Sequence, residues 1–139
     1  MSGSTTFYGL TDSVFKGNSF NYPLGNVSFN TMTRLNVLGL KVITSTTNAD
    51  GAVKVTNLSG ICHLKDLDIK NSGTTAAMLV DGGAFTSYFR DGRIHHTASG
   101  NNLRVQNGTS NMIFRTDGID LSVGFSDFTG ATRQQLTWS

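Results

Sequence analysis

Two aspartates in the segment Leu64-Lys-Asp-Leu-Asp-Ile69 have the spacing that paired-carboxylate chemistry uses. Asp66 and Asp68 lie two residues apart, so on a strand with Leu67 and Ile69 turned inward both carboxylates point outward, about 7 Å from one another. That separation suits an inverting glycosidase, in which one carboxyl protonates the leaving oxygen and the other activates water. The acid of such a pair needs a pKa raised by apolar burial, and nothing in the flanks supplies it, so no catalytic residue is assigned. Cys62-His63 and Ser87 fall near one another in register but lack a third group to orient a base. His63, His95 and His96 share no spacing that gathers three ligands on one metal, and the adjacent His95 and His96 point to opposite faces of a strand. Gly82-Gly83 precedes no helix and does not read as a phosphate-binding loop. No metal and no cofactor are expected.

The clearest polar pattern is basic. Lys65, Arg90 and Arg115 follow directly on Leu64, Phe89 and Phe114 and are evenly spaced along the chain. If chain segments stack at that interval, the three side chains form a column, with Lys54 and Arg104 on a neighbouring strand. Asp66 then stacks on Asp91 and Asp68 on Arg93, as on a solvated charged face. Such a face keeps strands soluble and discourages edge pairing. The same strip would also meet anionic sugars, with Tyr88, and also Tyr22 or Trp138, giving an apolar face to a sugar ring. Lys65, Arg90, Arg115 and Tyr88 are therefore the candidate glycan contacts.

The elements that carry these residues repeat. An apolar residue followed five positions later by another recurs as Leu35 to Leu40, Leu64 to Ile69, Phe89 to Ile94 and Phe114 to Ile119; the last two intervals between starts are equal and the first is slightly longer. A short alternating strand with a turn recurs in step: Val53-Lys-Val55 with Asn57, Met78-Leu-Val80 with Gly82, and Leu103-Arg-Val105 with Asn107 and Gly108. Val27-Ser-Phe29 reads as an irregular earlier copy, whereas Thr5 to Tyr22 is rich in aromatics and shows no clear register. Alternation over four to six residues, broken by Gly, Asn, Asp and Ser, predicts short strands with tight corners. One copy cannot bury its own apolar face, so copies must stack. Three or four coils reach only about 20 Å at strand spacing and leave open edges unless something covers them.

Composition supports an all-β chain. In 139 residues there are 16 Gly, 18 Thr, 14 Ser and 12 Asn, one Pro and no Glu. A helical bundle is excluded, because helix faces are normally filled with Ala, Leu, Glu, Lys and Gln. The length fits one domain. A net charge of +2 is too weak to argue for nucleic acid, and no apolar run is long enough to insert in a membrane. The N-terminus lacks the basic segment and apolar core of a secretory signal, so cytosolic assembly is expected. The single Cys62 excludes an internal disulfide and is expected to be a buried, inert thiol. Sequons at Asn26, Asn57 and Asn107 are then coincidences of an Asn- and Thr-rich chain.

Residues 101 to 121, NNLRVQNGTSNMIFRTDGIDL, resemble the shaft repeats of trimeric bacteriophage tail fibres. In those repeats an aliphatic strand ends in Asn-Gly, and an aliphatic-aromatic strand runs into Arg-x-Asp-Gly. Leu103, Val105, Asn107, Gly108, Ile113, Phe114, Arg115, Asp117 and Gly118 occupy those places, and residues 44 to 60 have the same character. The resemblance spans roughly residues 25 to 125. It implies a homotrimer of β-rich chains on a virion, assembled in the host cytoplasm and joined to other tail, baseplate or capsid proteins. Together with the repeat it gives the expected fold: all-β, with short strands in a repeat of about 25 residues, either β-helix-like or an interwoven trimeric fibre. The expected segments are an attachment region over 1–25, a β-repeat shaft over 26–130 and a tail over 131–139. A short uncapped stack is marginal alone, so Phe89, Ile94, Leu103, Val105, Phe114 and Ile119 of each chain are expected in a trimer core. The expected role is a structural component of a tail fibre or spike that joins virion parts or contacts the host cell surface. A polysaccharide depolymerase fragment and a trimeric capsid decoration protein are the alternatives.

Overall fold

The computed structural model describes residues 3–22, 24–47, 49–96, 103–107, 113–117, 125–128 and 132–135; for Ser87, 89–96, 113–117, 125–128 and 132–135 only the backbone is described. The described residues contain no helix. They form twelve strands: β1 Thr5–Tyr8, β2 Val14–Lys16, β3 Ser19–Tyr22, β4 Val27–Asn30, β5 Asn36–Leu38, β6 Lys41–Thr44, β7 Val53–Asn71, β8 Met78–His96, β9 Leu103–Gln106, β10 Ile113–Asp117, β11 Phe125–Phe128 and β12 Thr132–Gln135. Every pairing between them is parallel. The chain is a β-solenoid, stacked on itself within one molecule, which is the β-helix-like form of the expected fold.

Three columns of strands run up the stack. The first is β1, β4, the start of β7, the start of β8, β9 and β11. The second is β2, β5, the middle of β7, β8, β10 and β12. The third is β3, β6 and the ends of β7 and β8. The long β7 thus pairs with three separate strands, so it must bend around the coil. It does so at residues in the left-handed region: Asn57 (φ 52°), Gly60 (φ 76°) and Asp66 (φ 54°). These corners stack as well. Gly9 and Thr31 share the first corner with Asn57, as Asp12 and Arg34 share the second with Gly60 and Gly17 and Gly39 the third with Asp66, all at positive φ. Asn and Asp accept this conformation more readily than other non-glycine residues, which accounts for their abundance between strands.

The interior is the inward half of each alternating strand. Val27, Val53, Met78 and Leu103 form one stack, and Phe29, Val55, Val80 and Val105 the next, all nearly inaccessible to solvent. The even step between residues 53, 78 and 103 matches the period in the sequence. Elsewhere the step differs. Leu64 stacks on Val37 rather than Leu35, because Thr33 pairs with Ser59 but Asn36 pairs with His63. The extra residue in β7 bulges at Gly60–Ile61, and Ile61 is left 54% exposed. Thr5–Tyr22, without a legible register in the sequence, is the first coil and pairs with the second at a constant step. At the far end β12 pairs with β10, so residues 132–135 belong to the stack too.

Among the described residues a polar line, Tyr22, Thr44 and Asn71, runs at consecutive inward positions of the third column. Burial of these groups is offset by hydrogen bonds. The Thr44 hydroxyl donates to the Gly25 carbonyl at 2.9 Å. The Asn71 amide donates to the Thr75 and Ala76 carbonyls at 2.9 and 3.1 Å, while its Oδ1 accepts the Gly73 N–H at 2.9 Å. Tyr22 Oη lies 2.5 Å from Thr5 Oγ1.

Candidate functional site

The outward residues of the second column form two adjacent rows along the stacking direction. One row is Val14, Asn36, His63 and Tyr88; the other is Lys16, Leu38, Lys65 and the backbone position of Arg90. Between them lies a shallow groove of about 290 Å³, lined by Val14, Asn36, Leu38, His63, Lys65 and Tyr88. Parallel pairing puts His63 directly beside Tyr88, and the rings stack with centroids 5.0 Å apart and planes 14° from parallel. Leu38 and Val14 extend this flat apolar floor, Asn36 adds an amide, and the exposed Lys65 supplies a cation on the rim. An aromatic platform with one amide and one ammonium is a constellation for a sugar ring bearing a carboxylate or phosphate.

Of the candidate glycan contacts, Lys65 and Tyr88 meet in this groove, and Arg90 is in register with Lys65. Arg115 is not in that row. It pairs with Tyr88, while Asp117 pairs with Arg90, because the connection from β8 to β10 is longer than the even spacing of the sequence repeat. The basic residues therefore fall in two neighbouring rows, and the single column read from the sequence is corrected. Lys54 and Arg104 are separated in register by Leu79, and Lys54 is engaged by Asp50 at 2.7 Å. Tyr22 is an inward residue, away from the groove; Trp138 lies outside the described residues.

The aspartate pair does not form a flat catalytic face. Asp66 occupies the left-handed corner within β7, and Asp68, two residues further on, is 3.6 Å from Lys41 of the coil below. His95 and His96 pair in backbone register with Lys70 and Asn71. Among the described residues no cluster of three His, Cys, Asp or Glu could hold a metal ion. Cys62 is fully buried, and burial pushes its thiol pKa up.

Of the residues expected in a trimer core, two have described side chains. Leu103 and Val105 are wholly buried inside one chain. Phe89 and Ile94 are in register with the inward Leu64 and Ile69, and Phe114 with Ser87, which itself pairs with inward Cys62. Ile119 lies outside the described residues. The sequence reading missed Val14, Asn36, Leu38 and His63 as groove residues: the first coil has no legible register, and the pairing of Asn36 and Leu38 with β7 depends on its inserted residue. No family model, no curated protein and no solved structure matches this chain.

Proposed function

We propose that the chain is a structural module of a bacteriophage tail fibre or spike that contacts an anionic polysaccharide of the host surface through the groove at His63 and Tyr88. The stacked ring pair beside Lys65 is the observation that carries the contact: it offers apolar area to a sugar face and a cation to its acid group. The virion setting is supported by the fibre-like pattern of residues 101–121. In this reading the protein works as a homotrimer attached to other virion proteins and is assembled in the host cytoplasm. Its chains would pack through outer side chains, because the described apolar core is formed within one chain.

The test is binding of the purified protein to an immobilised uronic-acid polysaccharide and to a neutral one of equal length. The acidic polymer should be preferred, and binding should weaken steeply as salt is raised, as exposed ionic contacts are screened within roughly 8 Å at physiological ionic strength. Tyr88→Ala and Lys65→Gln should each weaken it about tenfold, corresponding to about 1.4 kcal/mol. Equal binding of both polymers, or no effect of either substitution, would overturn the proposed contact. Shortened polymer chains in the same mixture would favour a depolymerase instead.

A further inference from the structure

The two ends of the stack are edges of the same strand columns. β1 opens the first column and β11 ends it; β2 opens the second and β12 ends it, and among the described residues none of these four has a partner on its outer side. In an all-parallel stack opposite edges are complementary by translation: the backbone groups offered at one end match those the next coil would use at the other. Among the residues whose side chains are described, the first coil is also where exposed apolar residues concentrate. Tyr8 is 68%, Val14 62% and Leu24 57% exposed, and the inward Phe7, Phe15, Phe20 and Tyr22 are only half covered. Natural edges are usually protected by charge or proline. Here Thr5–Tyr22 carries only Asp12, already bonded to Arg34, and Lys16.

We propose that this end face docks on the last coil of a second copy of the chain, head to tail, so that β1 of one copy pairs with β11 of the next and β2 with β12. The same register would set Thr6 beside Ser126 of the neighbouring copy, since Thr6 pairs with Ser28 in the row that continues through Lys54, Leu79 and Arg104 to Ser126. Phe7 would stand near Phe128, which is in register with the inward Val105. Such a contact does not close on itself, so it adds copies end to end along the stacking axis without limit, whether each layer holds one chain or three. A coil of this size offers roughly the 20–30 residues that a stable interface uses on each side. Val14 of this face also lines the groove, so stacking is read by sedimentation in the absence of polysaccharide, separately from ligand binding.

Two experiments on the full chain test it. Thr5 and Gly9 donate their N–H groups to the second coil, and the Ser13 carbonyl accepts from it, so alternation leaves the Thr6 and Val14 N–H groups on the free edge. The double variant Thr6→Pro, Val14→Pro removes those two donors without breaking a bond inside the chain. Sedimentation should show the parent growing with concentration and the double variant arrested at a small fixed size, with both giving the same circular dichroism. Separately, Thr6→Cys and Ser126→Cys chains should form a mixed disulfide under mild oxidation, since neighbouring strands are about 4.8 Å apart, within disulfide reach. A parent that stops at a closed trimer at every concentration would overturn the stacking and leave the fibre reading standing. Thr6→Cys chains that cross-link only with themselves would also overturn it, because that pairing is head to head.

Discussion

Cys62 shows how much of one side chain's behaviour follows from its place in the coil. It follows the bulge at Gly60–Ile61 and turns inward opposite Leu35, with Sγ 3.8 Å from the Ser59 carbonyl. The sequence makes a buried thiol legible, because a free cysteine packs as a small hydrophobe. It does not reveal which residue covers it, since that depends on the bulge. Burial raises the thiol pKa, so above the ordinary thiol range near 8.5 the unfolded chain releases its proton while the folded chain keeps it. Stability from this group is therefore intact below that range and declines as pH rises through it. Alkylation of Cys62 at mildly alkaline pH should run on the order of 100-fold slower in the folded protein than in urea, and the melting temperature should fall as pH rises through the thiol range. Labelling at the same rate in both states would show that the coil opens locally. Asp12 responds in the opposite direction. Its carboxyl is held below the usual range by the two hydrogen bonds from Arg34, so that contact persists above the ordinary carboxylate range and is lost on acidification.

Corners, more than strands, decide the register of the elements. The sequence period is legible where the corners of successive coils are equal in length, as between β7 and β8. It fails where a single residue is inserted, at Gly60–Ile61, and again between β8 and β10, because apolar spacing does not reveal a corner's conformation. Leu35 and Val37 are both fully buried, so either could have been the partner of Leu64 on pattern alone. The groove inherits this difficulty: Lys65 and Tyr88 could be nominated from the sequence, whereas Asn36 and His63 join them only through the inserted residue. Gly83 is a demanding corner. Its φ of 120° belongs to a region open almost only to glycine, and an added Cβ would approach the Leu58 carbonyl oxygen to 2.6 Å. Gly83→Ala should destabilise the fold by at least about 2 kcal/mol in urea denaturation. Asp66→Gly, at a corner where Asp is already tolerated, should change stability by less than about 1 kcal/mol.

At the scale of the molecule, stability comes from contacts between adjacent coils, as in other repeat architectures. β7 and β8 run continuously around the coil and are paired with each other over almost their whole length, so they form the middle of the stack. The first coil has one neighbour and half-covered aromatics. Amide exchange should accordingly be slowest in residues 53–71 and 78–81 and fastest in β1, β2 and β3, with exchange in those three strands slowing as protein concentration rises and copies stack. Uniform protection along the chain would indicate all-or-none opening instead.

The parallel pairing has a mechanical consequence. Hydrogen bonds between coils lie along the stacking direction, and the first and last strands of each column are at opposite ends of it. Tension applied between those ends would meet the bonds of one coil at a time, peeling the molecule open. A load across the columns, along the strand direction, would instead shear many bonds together. A fibre built this way would yield coil by coil when stretched, releasing roughly 80 Å of chain for about 25 residues at each step, and would be stiff against a sideways load on its groove-bearing face.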